Sequence, residues 1–130
     1  MSHGLLTEEW ADGVYSFRLG YGQWLELDQL LQVGPMALYV RLLDRTWKAN
    51  DLREVIRVGL IGGGGSPAQA LRLAKLYVED RPIAESLGLA LRIISAALFL
   101  PDGVDKPGEA QATEISTSGS TSPSPTGTLQ

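Results

Sequence analysis

The feature that most constrains this chain is the stretch from Thr46 to Pro67, where a helical pattern runs into four consecutive glycines and then Ser66-Pro67. Leu52, Val55, Ile56, Gly59 and Leu60 recur at i, i+3, i+4, i+7 and i+8, which places them on one face of an α-helix. Arg53 and Arg57 fall off that face. Asn50 has a side chain able to cap the helix start, and Asp51 and Glu54 bring negative charge to the positive end of the helix dipole. Gly62, Gly63, Gly64 and Gly65 stop the helix, since glycine reaches the left-handed backbone region without a Cβ clash. Ser66-Pro67 opens another helix, with proline at the first position, where its missing N–H costs nothing.

A glycine run ahead of a serine invites comparison with a phosphate loop. That loop needs a strand before it and a lysine closing the glycine spacing, so that charge meets the phosphates. Here a helical pattern precedes the glycines, and no lysine follows until Lys75. The run is therefore read as a helix terminator and a candidate hinge.

Composition narrows the chemistry. At 130 residues and 44% apolar, the chain suits one domain with a real core. It has no cysteine, which removes disulfides, thiolate catalysis and thiolate metal sites together. The single histidine, His3, lies beside the N-terminus, so a metal or haem site built on imidazole is not expected. Serines have no histidine partner in the body, and no carboxylate pair is set apart as acid and base. No catalytic, cofactor-binding or metal-binding residues are expected, and an enzyme is the least favoured class.

The N-terminal Met1–Glu9 lacks a secretory pattern, and the most apolar window, Leu87 to Leu100, is interrupted by Arg92 and too short to span a bilayer. The expectation is a cytoplasmic protein with no membrane partner. The net charge of −4 divides into −1 over residues 1–100 and −3 over residues 101–130. A nearly neutral body gives no electrostatic case for nucleic acid.

Read in order, the chain predicts a mainly α protein: a small N-terminal β-hairpin packed on a bundle of about five short helices, with a disordered C-terminal tail. Asp12-Gly13 marks the hairpin turn, and Tyr15, Phe17 and Leu19 are expected to pack on the helices. Helices are predicted from Tyr21 or Gly22 to Gln32, from Pro35 to about Asp44, across the opening stretch, from Pro67 to about Asp80, and from near Ile83 to Leu100. The last is apolar almost all round and is expected to be the central one. Trp47 stands where a hydrophobic staple would sit. In residues 102–130, 17 of 29 side chains are Gly, Ser, Thr or Pro, a composition that cannot bury enough surface to offset its ordering entropy. The expected organisation is a flexible N-terminus over 1–7, a helical domain over 8–100 and a disordered tail over 101–130.

Arg41, Arg45, Lys48, Arg53 and Arg57 form a locally basic cluster over the second and third helices. A helix-turn-helix DNA-binding regulator is one reading. Asp44, Asp51 and Glu54 lie among the cations, and base-reading Asn or Gln is nearly absent from the third helix, which argues against it. The cluster is kept as a candidate partner-binding face. On that reading, Arg57→Glu or Gly63→Pro leaves the fold largely intact and weakens binding.

The run Trp10-Ala11-Asp12-Gly13-Val14-Tyr15-Ser16-Phe17-Arg18-Leu19, the Gly34-Pro35 pair, and Thr46-Trp47 through Asp51-Leu52-Arg53-Glu54-Val55-Ile56-Arg57-Val58-Gly59-Leu60-Ile61-Gly62-Gly63-Gly64 resemble the gene transfer agent tail-protein family. Pro67-Ala68, Tyr77-Val78, Arg81-Pro82 and the small-residue-rich Ala90–Leu98 extend the resemblance over about residues 8–100. Gene transfer agents are phage-like particles encoded in alphaproteobacterial chromosomes, and prophages carry relatives. The resemblance implies a phage tail assembly chaperone that binds the tape measure protein and tail tube subunits while the tail is built. The same family is also described as a tail tube protein, so a tube or connector subunit retained in the particle is the alternative. The resemblance carries over no catalytic residues, and the Ser/Thr/Pro-rich tail is not part of it.

Overall fold

The computed structural model describes residues 3–100; the tail expected to be disordered lies outside them. Two strands, β1 (Leu6–Trp10) and β2 (Gly13–Phe17), pair antiparallel, with Leu6 opposite Phe17 and Trp10 opposite Gly13. The turn residues are Ala11 and Asp12, with Ala11 at a left-handed φ of 57°, so Gly13 opens the second strand instead of forming the turn. Pairing begins at Leu6, which is buried, two residues ahead of the boundary that composition marks at Glu8. Alternation sends Phe17 into the core, and Leu19 joins it just past the strand. Trp10 meets Tyr15, Phe17 and Tyr77 edge-on, with ring centroids 5.7–5.8 Å apart, and so ties the hairpin to the helices.

Five α-helices follow: α1 (Tyr21–Leu31), α2 (Pro35–Leu43), α3 (Ala49–Gly62), α4 (Pro67–Ala74) and α5 (Leu87–Phe99). A π-helical turn, Lys75–Glu79, continues α4, and a 3₁₀ turn, Ile83–Ser86, leads into α5. The predicted fourth and fifth helices are thus each an α-helix joined to a second helical type. Gln32, at a left-handed φ of 56°, closes α1 ahead of Val33-Gly34-Pro35. Gly34 precedes Pro35, which is the first residue of α2.

The central helix is α3, not α5. It packs against β2, α1, α4 and α5, and buries Asp51, Leu52, Glu54, Val55, Ile56, Val58, Gly59 and Leu60. Helix α5 buries Leu89, Ala90, Ile93, Ile94 and Ala96, but Leu87, Leu91 and Leu98 are half-buried and Phe99 is exposed. Apolar residues all round a helix report hydrophobicity, not the number of neighbours. The charges of α3 concealed its position, because buried charge is tolerated where it is paired.

The cap at the start of α3 also differs from the expectation. Asn50 lies inside the helix and Lys48 is the N-cap; the Asp51 carboxylate turns back to accept the Lys48 backbone N–H at 2.8 Å. Trp47, immediately before the cap, is half-buried against the core. At the other end, Gly65 N–H donates to the Leu60 carbonyl at 2.9 Å and Gly64 N–H to that of Ile61 at 3.0 Å, with Gly64 at φ +113°. These are the paired hydrogen bonds of a Schellman cap. A Cβ on Gly62 would collide with the Arg18 carbonyl oxygen, and one on Gly63 with that of Ser16. The glycine run is therefore a close backbone-to-backbone approach followed by a built cap, not a loose link.

Gly62, Gly63, Gly64 and Gly22 give an ordered series for urea denaturation. Gly62→Ala and Gly63→Ala are expected to be the most destabilising, by about 3 kcal/mol or more, because backbone must move. Gly64→Ala is expected to cost about 1–2 kcal/mol through its positive φ. Gly22→Ala, in a helix with open space around the new methyl, is expected to stabilise by about 0.5 kcal/mol.

Candidate functional site

The five cations of the basic cluster divide into two groups. Asp51, 1% exposed, receives a two-pronged contact from Arg41 of α2, Nε to Oδ2 at 3.0 Å and Nη2 to Oδ1 at 2.8 Å. Glu54, 3% exposed, accepts from Arg57 Nη2 at 2.6 Å, from Arg57 Nε at 3.2 Å, and from Arg53 Nη1. Arg53 Nε also donates to Glu79 at the end of the π-helical turn. Arg57 Nη2 lies 3.7 Å from Glu26 of α1. Asp51 sits in the first turn, where the dipole of α3 favours it, but the main partners of both carboxylates are guanidiniums. The Glu54 hydrogen bond raises the Arg57 pKa above its ordinary value, outweighing the opposing effect of burial.

Arg41, Arg53 and Arg57 are consequently half-buried and committed to carboxylates of this same chain. Arg45, at a left-handed φ of 63°, and Lys48 are exposed and form no ion pair among the described residues. The structure does not bring the five together as one open basic surface. Arg57→Glu would set a new carboxylate beside the buried Glu54, so the expectation of an intact fold gives way to one of destabilisation.

What the sequence reading did not single out is the outer face of α2. Among the described residues ten large apolar side chains are exposed, and six of them, Tyr21, Leu25, Leu30, Met36, Val40 and Leu43, lie on α1 and α2. Leu38 and Leu42 turn inward, whereas Met36, Val40 and Leu43 are 53%, 46% and 52% exposed. Their i, i+4, i+7 spacing makes one continuous stripe. Tyr39 borders it and meets the exposed Phe99 of α5 edge-on, with centroids 5.4 Å apart. The legible signal was two apolar stripes on a nine-residue helix, more than one neighbour can cover.

Among the described residues no group of three or more His, Asp or Glu side chains is arranged to hold a metal ion. No helix there is long and apolar enough to cross a membrane. A cleft of about 280 Å³ between the start of α3 and the π-helical turn contains both Arg53 and Glu79, already paired to one another.

Fold and surface together define a small, mainly helical domain with an N-terminal hairpin, internally paired charge and an exposed apolar helix face. The chain belongs to a family of phage tail proteins: residues 3–99 match the family described as phage tail tube protein, GTA-gp10. No curated protein and no solved structure matches it.

The division of the cations is checked by charge reversal. Arg57→Glu is expected to lower unfolding free energy by about 3–5 kcal/mol, because Glu54 is left buried against like charge. Arg45→Glu and Lys48→Glu are each expected to change it by less than about 0.5 kcal/mol. Chemical denaturation of the three variants measures the contrast.

Proposed function

We propose that this tail protein is a non-enzymatic assembly chaperone, which binds helical segments of the tape measure protein and tail tube subunits while a phage-like tail of a gene transfer agent or prophage is built. The observation that carries the reading is the exposed stripe Met36, Val40 and Leu43 with Tyr39 and Phe99 beside it. Solvent-facing apolar side chains at helical spacing offer a seat for a second amphipathic helix. Arg45 and Lys48 follow the C-terminal end of α2, where they favour acidic residues flanking such a helix. The glycine segment positions α3 in this reading and does not act as a hinge.

A retained tail tube subunit is the second reading, and the description of the matching family favours it. Against it, the only sheet among the described residues is the two-stranded hairpin, which supplies little edge for a ring built by strand pairing.

Co-expression with the neighbouring tail proteins tests the first reading. The tape measure protein is expected to co-purify with the wild-type chain, and Val40→Glu to reduce its recovery at least about tenfold while the circular dichroism is unchanged. Failure of the wild-type chain to retain either tape measure or tube protein would overturn the proposal. Stoichiometric peptides of this chain in mass spectra of finished particles would establish the second reading instead.

A further inference from the structure

We infer that in the free protein the outer face of α2 is covered by the same face of a second copy, the two helices crossing antiparallel about a two-fold axis close to Val40. The inference rests on reading this stripe as a binding face and concerns what occupies it before a tail partner does.

The stripe suits a two-fold. Met36 and Leu43 lie at its two ends and Val40 near its middle, all three about half exposed. Antiparallel pairing sets Met36 of one copy against Leu43 of the other and brings the two Val40 side chains together. Such an interface uses one patch twice, as two-fold dimers do.

Charge complementarity selects the direction. Gly34 gives α2 no side-chain cap, and the first turn carries no acidic residue, so the positive end of the helix is bare. Asp44 follows Leu43 directly, at the negative end of its own helix; it is exposed and forms no ion pair among the described residues. In its own chain this carboxylate stands at the wrong pole. In an antiparallel pair it lies beside the uncapped start of the second α2, where a negative charge is stabilising. A parallel pair would instead place the two Asp44 carboxylates together. Arg45 comes one residue later, where the left-handed φ of 63° turns the chain from the helix direction.

The chain beyond Phe99 is a poor alternative cover, with 17 of residues 102–130 being Gly, Ser, Thr or Pro. The pairing also gives the stripe a means of control, since a tail-protein helix must displace the second copy to reach it.

The native chain has no cysteine, so a single introduced thiol reports its own symmetry. In sedimentation velocity the full-length chain is expected to run as a dimer and Val40→Glu as a folded monomer. Under mild oxidation Val40→Cys is expected to form a disulfide-linked dimer at least about tenfold faster than Met36→Cys or Leu43→Cys alone, because only position 40 faces its own copy. Mixing the Met36→Cys and Leu43→Cys chains is expected to restore rapid cross-linking. A wild-type chain that stays monomeric, or equal cross-linking rates at positions 36, 40 and 43, would overturn the inference. A monomer that still retains the tape measure protein overturns the dimer and leaves the chaperone reading standing. A dimer with the expected cross-links that retains no tail protein does the reverse.

Discussion

The rest of the structure depends on one contact between two backbones: the last turn of α3 lying directly on the end of β2. Arg18 N–H donates to the Gly59 carbonyl at 2.9 Å, and the next turn brings Gly62 and Gly63 against the Arg18 and Ser16 carbonyls. No side chain fits between them. This closeness sets the height of the hairpin over α3 and puts Phe17 and Leu19 into the core. It fixes the start of α1 as well. The Gln23 side chain accepts the Gly20 N–H at 3.0 Å and lies beside Gly62. A two-stranded hairpin is marginal by itself, and here its stability is borrowed from the helix beneath it.

The buried carboxylates of α3 do a second job, that of direction. Asp51 holds Arg41 on α2, Glu54 holds Arg57, and through the two arginines on α3 the helix reaches Glu26 on α1 and Glu79 after α4. Apolar side chains at the same positions could fill the space with similar or greater stability. What they would not supply is a fixed rotation of α3 about its axis, since hydrophobic contact is non-directional and a two-pronged arginine contact is not. The polar cluster thus sets which face of α3 meets which neighbour.

Much of this was legible in the sequence. The helix boundaries at Pro35 and Pro67, the hairpin, and the burial of Phe17 and Leu19 follow from proline, from alternation and from the 3.6-residue period, all local signals. The identity of the central helix was not legible. Asp51 and Glu54 read as charges placed for the helix dipole. The Arg41 that pairs buried Asp51 comes from another helix, and although Arg53 and Arg57 of the same helix pair Glu54, its burial is set by the packing of α3 among its neighbours. The glycine run was legible as a terminator through Gly64, whose φ is positive. At Gly62 and Gly63 the reason for glycine is a strand more than forty residues earlier, which no local pattern encodes. The division of the basic cluster into paired arginines and exposed Arg45 and Lys48 was not legible either, because it depends on burial of Asp51 and Glu54, and the α2 stripe went unmarked because inward and outward apolar residues share one chemistry.

The π-helical turn after α4 has a consequence for how the chain can change. Asp80 N–H donates to the Lys75 carbonyl at 3.1 Å, five residues back, so this turn holds one residue more than an α-helical turn would. That extra residue sets the angular phase in which Val78 points inward and Glu79 reaches Arg53. Were the same residues wound as an α-helix, those after the turn would be rotated by about 100° with their chemistry unaltered. Here chain length carries information that residue identity does not. A one-residue deletion at this point would let the turn close as an ordinary α-helical one, with the residues after it kept near their present phase.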